Sequence, residues 1–334
     1  MGKVTYLLGA GASKNALPLV KEFPVRLEKF MTDCMGILSF NPNKGTMITM
    51  KDVQRKNRIG DHQMISDLKW LLEKVKKHSS IDTFAKKLSV TGRNEELKKL
   101  KMLLILFFAY EQIRNVDERY DGFIAATINE NKEISNSLRI LSWNYDYQFE
   151  KALSEYLEIS NLDTIQEILN IAPSKNINNP RKLTKDIFEI AKLNGTTAVM
   201  ERENTMEVKT IFEQFTAQSP ASLRGKFEQF YGNPKIYPLV NFAWESNHNQ
   251  DYLKKAVEIA KLTSVLVVIG YSFPFFNREI DRMIFQSIPN VDSIKIYIQD
   301  INPENIIDRL SSITKSKNII PIKDVEQFYL PPEL

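Results

Sequence analysis

Val4-Thr5-Tyr6-Leu7-Leu8 runs straight into Gly9-Ala10-Gly11-Ala12-Ser13-Lys14, and the reading of that junction decides the fold. Five strand-forming residues ahead of a glycine-rich corner read as the first β-strand of an α/β sheet, delivering its carboxyl end to a helix N-terminus. Gly9 and Gly11 are expected to take positive φ and let the backbone approach a ligand closely. Free N–H groups and the positive end of the following helix then point to one spot, so the expected occupant is a nucleotide phosphate. The dinucleotide fingerprint asks for a third Gly or Ala where this chain has Lys14, and no acidic residue stands at a strand end about twenty residues on. A Gly-Lys-Ser/Thr Walker ending is also absent. The plain alternative is a tight strand-to-helix turn that holds no ligand.

The chain has 334 residues, 43% of them hydrophobic and 26% charged, enough for one large or two modest cores. Its single cysteine, Cys34, excludes an intrachain disulfide framework and any Cys-x-x-Cys zinc ribbon, and fits a reducing cytoplasm. No metal site and no zinc are expected. The first strand begins with no charged-then-apolar leader, and no apolar run nears the roughly eighteen residues of a membrane helix. The longest run, 103–110, reads as a buried helix segment. A net charge of +4, from 45 basic and 41 acidic residues, is too even to argue for nucleic acid, which needs a clustered excess.

Pro18 interrupts any helix that begins at Ser13, so the segment after the turn is expected to cross the ligand and close over it. From 22 to 132 the apolar spacing is helical, as in Leu68, Leu71, Leu72 and Val75, and this stretch reads as a helical insertion domain. His62 and His78 lie within it without neighbours at metal-ligand spacing. The remaining core, 1–21 plus 133–334, is expected to be Rossmann-like. Its strands are read at 4–8, 138–142, 187–193, 235–240, 264–269 and 293–299, all in one parallel sheet with helices on both faces. Polar residues at the carboxyl ends of such strands point into the ligand crevice.

Taken together, Gly9-Ala-Gly-Ala-Ser13, Trp143-Asn-Tyr-Asp146, Lys192-Leu-Asn-Gly195, Gly270-Tyr-Ser272 and Asp300-Ile-Asn-Pro303 follow the order and rough spacing of the bacterial sirtuin-like superfamily. The chain resembles that family over nearly its whole length apart from the helical insertion. The resemblance implies a three-layer α/β fold of sirtuin type, with NAD as substrate. It implies that Gly9, Gly11, Ala12 and Ser13 hold the pyrophosphate, that Asn144 and Asp146 address the nicotinamide ribose and carboxamide, and that Gly270 and Ser272 contact phosphate or ribose. Asp300 or Asn302 is implied at the adenosine ribose. Protein deacylases of the superfamily carry a four-cysteine zinc ribbon, which one cysteine cannot supply. The zinc-free branch looks like the NAD-consuming effectors of antiphage defence, and implies a homo-oligomer or a separate sensor or ATPase subunit as partner.

Where that family has Lys-Leu-His-Gly, this chain has Asn194, and the histidine is the family's usual catalytic base. An asparagine exchanges no proton near neutral pH, though it hydrogen-bonds to the same hydroxyls. Three accounts of Asn194 stand open: a substitution that traps substrate, a binding-only variant, or a site where Asp146 or His248 supplies the base. The resemblance therefore implies an NAD hydrolase. The rival expectation is a catalytically silent subunit that senses NAD or ADP-ribose. For Asn144, Asp146, Ser13 and Ser272 the bland role is helix capping, which is compatible with ligand contact.

Overall fold

The computed structural model of the chain describes residues 2–41, 46–47, 59–173, 188–202, 206–210, 227, 230–245 and 250–334. Its framework is a seven-stranded sheet in which every pairing is parallel. The strands are β1 (Lys3–Leu8), β4 (Leu138–Ser142), β5 (Ile171–Ala172), β6 (Glu189–Lys192), β10 (Thr263–Ile269), β11 (Lys295–Gln299) and β12 (Ile319–Ile322), in the order β12-β11-β10-β1-β4-β6-β5. The chain builds outward from β1 on one side, then returns to add β10, β11 and β12 on the other. The boundary between β1 and β10 is thus the topological switch point, where open α/β sheets place their ligand crevice.

The central strands are apolar on both faces because both faces are covered. In β10, Leu266 and Val268 face one core while Val265, Val267 and Ile269 face the other. The first core is closed by α8 (Asp251–Leu262), α9 (Arg278–Ser287) and α10 (Pro303–Leu310), through residues such as Ile259, Ile284 and Leu310. The second is closed by α5 (Arg119–Thr127), α6 (Gln148–Leu157) and α7 (Leu162–Ile168), through Phe123, Leu153 and Ile165. Each such side chain contributes about 1.5–3 kcal/mol by leaving water, which makes these three layers the rigid support of everything at the sheet's carboxyl edge.

A third core lies among α1 (Phe23–Ser39), α2 (Ile59–Lys77), α3 (Ile81–Val90) and α4 (Asn94–Arg114). Helix α4 is buried continuously from Leu100 to Gln112, as the apolar run at 103–110 predicts. It has helices on one side and a small antiparallel sheet on the other. That sheet, in the order β8-β7-β9, consists of β7 (Gly195–Arg202), β8 (Met206–Thr210) and β9 (Ile236–Val240). A two-residue ribbon, β2 (Phe40–Asn41) with β3 (Thr46–Met47), completes the described strands.

Placing 235–240 in the parallel sheet is therefore corrected: β9 pairs antiparallel with β7. The chain leaves the main sheet immediately after β6, where Gly195 opens β7 instead of a loop. Helix α5 falls inside 22–132 yet packs on the main sheet, whereas β7 and β9 fall outside it yet pack with α1, α2, α3 and α4.

Candidate functional site

Parallel register sets the strand exits level. Leu8 is paired with Ser142 and Ile269, Ser142 with Lys192, and Ile269 with Gln299. The ladder runs one step further, with Trp143 N donating to Leu8 O, Leu193 N to Ser142 O and Gly9 N to Ile269 O. Gly9, Trp143, Leu193 and Gly270 consequently start four turns side by side.

The turn after β1 differs from the expected helix N-terminus. Residues Ala10–Ser13 form a single 3-10 turn, and helix α1 begins only at Phe23. Pro18 lacks the N–H that would continue the winding begun by Ala16 and Leu17 on Ser13 O. Gly9 is extended, with φ −116°, and the described glycines with positive φ do not include Gly9 or Gly11. Their N–H groups are also committed: Gly9 to Ile269 O, and Gly11 to Gly270 O at 2.9 Å. These glycines allow two strand exits to touch, since a Cβ on Gly11 would lie 2.7 Å from Gly270 Cα and one on Gly9 2.5 Å from Tyr271 Cα. The turn is held from below by the buried Arg119 guanidinium, which donates to Gly11 O at 3.0 Å and Ala12 O at 3.1 Å and pairs with Asp117.

Asn144 links the β4 exit to this turn. Its Nδ2 donates to Gly9 O at 2.9 Å and to Ser13 Oγ at 3.1 Å, and Ser13 Oγ also bonds the Tyr120 hydroxyl at 2.8 Å. Asn194 is held in a parallel way, its Nδ2 donating to Trp143 O at 3.0 Å, while its buried Oδ1 has no hydrogen-bond partner among the described residues. Asp146 lies close to the same Ser13. Its Oδ1 accepts from Gln148 N at 3.1 Å at the start of α6. Burial pushes its carboxyl above the ordinary carboxylate range, with Lys192, Ser13 and the Gln148 N–H pulling it back.

A cavity of about 610 Å³ opens beyond these exits, between them and the helical layer, within the size range of small-molecule sites. Asn144, Asn194, Gly270 and Ser272 line it, joined by Ala10 from the turn and by Trp143, Tyr145 and Tyr271. The helical layer contributes Phe23, Val75, His78, Asp82, Leu104 and Phe108 to the lining. Pro18, Val20 and Lys21, in the segment after the turn, also border it. Trp143 stacks on Tyr271 (5.8 Å, 17°) and Tyr145 on Phe108 (5.3 Å, 25°), so the aromatic lining is rigid. Gly9, Gly11, Ala12, Ser13 and Asp146 do not line the cavity; they stand behind those that do. Asp300 and Asn302 are outside it as well. Asp300 Oδ1 accepts from Asn302 N at 2.9 Å in the turn that starts α10, and β10 separates their strand from β1. His248 lies outside the described residues.

No protein-family model matches the chain, and no curated protein matches it in sequence. Among solved structures, one presented as a structural basis for the mechanism and regulation of Sir2 enzymes aligns with a TM-score of 0.41 at 12% identity. That alignment covers 96% of this chain and 87% of the other. A second, concerned with sirtuin substrate affinity, aligns with a TM-score of 0.41 at 13% identity, over 97% and 90% of the two chains. These are likenesses of chain path; the fold described above rests on its own strand order and register. Among the described residues no helix is long and apolar enough to cross a membrane, and no group of three or more His, Cys, Asp or Glu is arranged to hold a metal ion.

Asp281, Asn277, His78 and Asp82 belong to no sequence motif. Tyr271 gives its hydroxyl to the buried Asp281 carboxyl, 2.9 and 2.8 Å from the two oxygens, and Asn277 Nδ2 lies 3.0 Å from the same hydroxyl. Burial pushes Asp281 up to about 8, against the pull of the hydrogen bond from Tyr271. This group fixes the Tyr271 ring, on which Trp143 stacks. His78 and Asp82 reach the cavity from the helical layer, more than sixty positions from any of the strand-exit motifs that follow them; only the folded chain brings them together.

Proposed function

We propose that the chain is an NAD+ glycohydrolase, cleaving NAD+ to nicotinamide and ADP-ribose in the cavity at the sheet's carboxyl edge. The observation that carries this reading is the pairing of Asn144 and Asn194 on one cavity wall, both with Nδ2 held by backbone carbonyls. Their Oδ1 atoms are left as acceptors, and the one on Asn194 is buried without a partner among the described residues. An unpaired buried acceptor costs about 1–3 kcal/mol, so a ligand hydroxyl there is strongly favoured. Ribose supplies such hydroxyls, and the aromatic lining suits a planar base.

Cleavage develops positive charge on the ribose while nicotinamide leaves as a neutral molecule. The protein must therefore hold the sugar, face it with negative dipoles and position one water. The two amide oxygens meet the first two needs. Lys21 and Lys76 border the cavity and provide cations for the pyrophosphate. The N–H groups of Gly9, Gly11 and Ala12 are used within the backbone, so in this reading the turn shapes the site and contributes Ala10 to its wall.

An enzyme that drains its own cell of NAD must be silent until triggered. We therefore assign the chain an effector role in antiphage defence, active on assembly with itself or with a sensor or ATPase subunit. The second reading, a silent NAD or ADP-ribose sensor, is favoured by Asn194 standing where the family's histidine is expected. Purified chain given NAD+ at concentrations that let it assemble with itself is expected to release nicotinamide, with Asn194→Ala lowering kcat about five- to tenfold through loss of one hydrogen bond to ribose. NAD+ binding with no release from the wild type would support the sensor, and absence of both would contradict either reading.

A further inference from the structure

We propose that Asp82, carried by the helical layer, is the general base of the hydrolysis and takes the role for which Asn194 is unsuited. The inference rests on the cavity being the NAD+ site. Asp82 is in the first turn of α3, whose N-cap Ser80 accepts a hydrogen bond from Thr83 N and fixes the start of the helix. Asp82 lines the same cavity as Asn144 and Asn194. The residue is half-buried and borders the cavity. Burial lifts its carboxyl above the ordinary carboxylate range, with only its own backbone N–H drawing it back. A carboxylate raised by desolvation is a stronger base than one in water.

Its surroundings are consistent with this role. Tyr145 from the β4 exit and Tyr271 from the β10 exit both feel the Asp82 charge, which raises their own hydroxyls further. Lys21, Lys76 and His78 border the same cavity. The His78 ring is occupied at Nδ1 by Lys74 O at 2.8 Å and tilts against Phe84 at 4.8 Å. Other carboxylates near the exits do not line the cavity: Asp146 accepts from Gln148 N at the start of α6, Asp281 holds Tyr271 and Glu150 pairs with Lys192.

The step balances without a further reagent. The bond from ribose C1′ to the nicotinamide nitrogen breaks, and its electron pair leaves on neutral nicotinamide. Water oxygen bonds to C1′ while its proton passes to the Asp82 carboxylate and then to solvent. The products are ADP-ribose, nicotinamide and one proton. A base of this kind accounts for turnover without a histidine at 194 and brings the helical layer into the chemistry.

The test compares wild type with Asp82→Asn, following nicotinamide release across pH and NAD+ binding by calorimetry. Asp82→Asn is expected to lower kcat about a hundred- to ten-thousand-fold while the NAD+ dissociation constant changes less than about tenfold. The wild-type profile of kcat/KM is expected to rise with pH through a limb above the ordinary carboxylate range, and that limb should vanish in the variant. Asp82→Glu should restore part of the rate, which a purely structural role would not require. A variant that keeps both rate and limb would overturn the assignment, as would loss of the limb in His78→Gln with its retention in Asp82→Asn. Wild type that binds NAD+ without turning it over also overturns it, whereas wild type that binds no NAD+ removes the site reading itself.

Discussion

Lys192→Met is expected to destabilise the fold by about 3–5 kcal/mol, the range for breaking a buried ion pair from one side. Lys192 and Glu150 are 3% and 1% exposed and pair in the interior between β6 and α6. The ammonium also donates to Asp146 O at 2.6 Å and lies 4.7 Å over the Tyr147 ring. Methionine fills similar space but leaves the Glu150 carboxylate alone in the core and the Asp146 carbonyl without its donor. The β4 exit carrying Asn144 would then lose its support from below. Adding Glu150→Gln should recover much of the loss, because no uncompensated charge remains. Urea unfolding measures both; a loss under about 1 kcal/mol in the single variant, or a double variant as unstable as the single one, would contradict this role.

Gly270→Ala is expected to cost about 2–5 kcal/mol by a different route. Gly270 has φ +57°, and a Cβ there would lie 2.5 Å from Gly11 Cα and 2.6 Å from Ala12 N. Left-handed backbone costs an L-residue about 1–2 kcal/mol, and forcing a methyl into packed surroundings adds about 1–3 kcal/mol. The atoms it meets are backbone of the β1 turn, which has no rotamer to escape into. Gly11→Ala should cost less, because its neighbour contact is 2.7 Å and its backbone is outside the left-handed region. Denaturation midpoints of the two variants give the order, and equal or negligible losses would show that the exits are not locked together.

The sheet was largely legible because its central strands announce themselves twice, as apolar runs and as polar exits. Ser264-Val265-Leu266-Val267-Val268-Ile269 followed by Gly270 is such a case. Edge strands β5 and β12 were not legible, being two and four residues long with too little pattern to separate from loop. The misplacement of β9 has a physical reason visible afterwards. Ile236-Tyr237-Pro238-Leu239-Val240 contains a proline and an exposed tyrosine, the marks of a half-buried antiparallel strand.

Site residues divide along similar lines. A motif marks where a strand ends, and Asn144, Asn194, Gly270 and Ser272 do reach one cavity. Which side chain of a turn faces the cavity depends on local winding, so Asp146 and Asp300 became turn and helix-start acceptors instead. The glycines of the first turn are legible as close-approach positions, and what approaches the Cβ side of Gly11 is Gly270. Asp82 and His78 had no motif to mark them, since their place in the site comes from how α1, α2, α3 and α4 dock over the strand ends.

Calorimetric titration with NAD+ of wild type and Ser272→Trp is the most direct measurement of whether this cavity is the NAD+ site. Ser272 borders the cavity and is exposed, so an indole can obstruct the entrance without entering the core. Wild type is expected to bind NAD+ with one site per chain, and Ser272→Trp to bind at least about tenfold more weakly at an unfolding midpoint that surface substitutions leave nearly unchanged. Equal NAD+ affinity in the two proteins, or no binding by wild type, would contradict it.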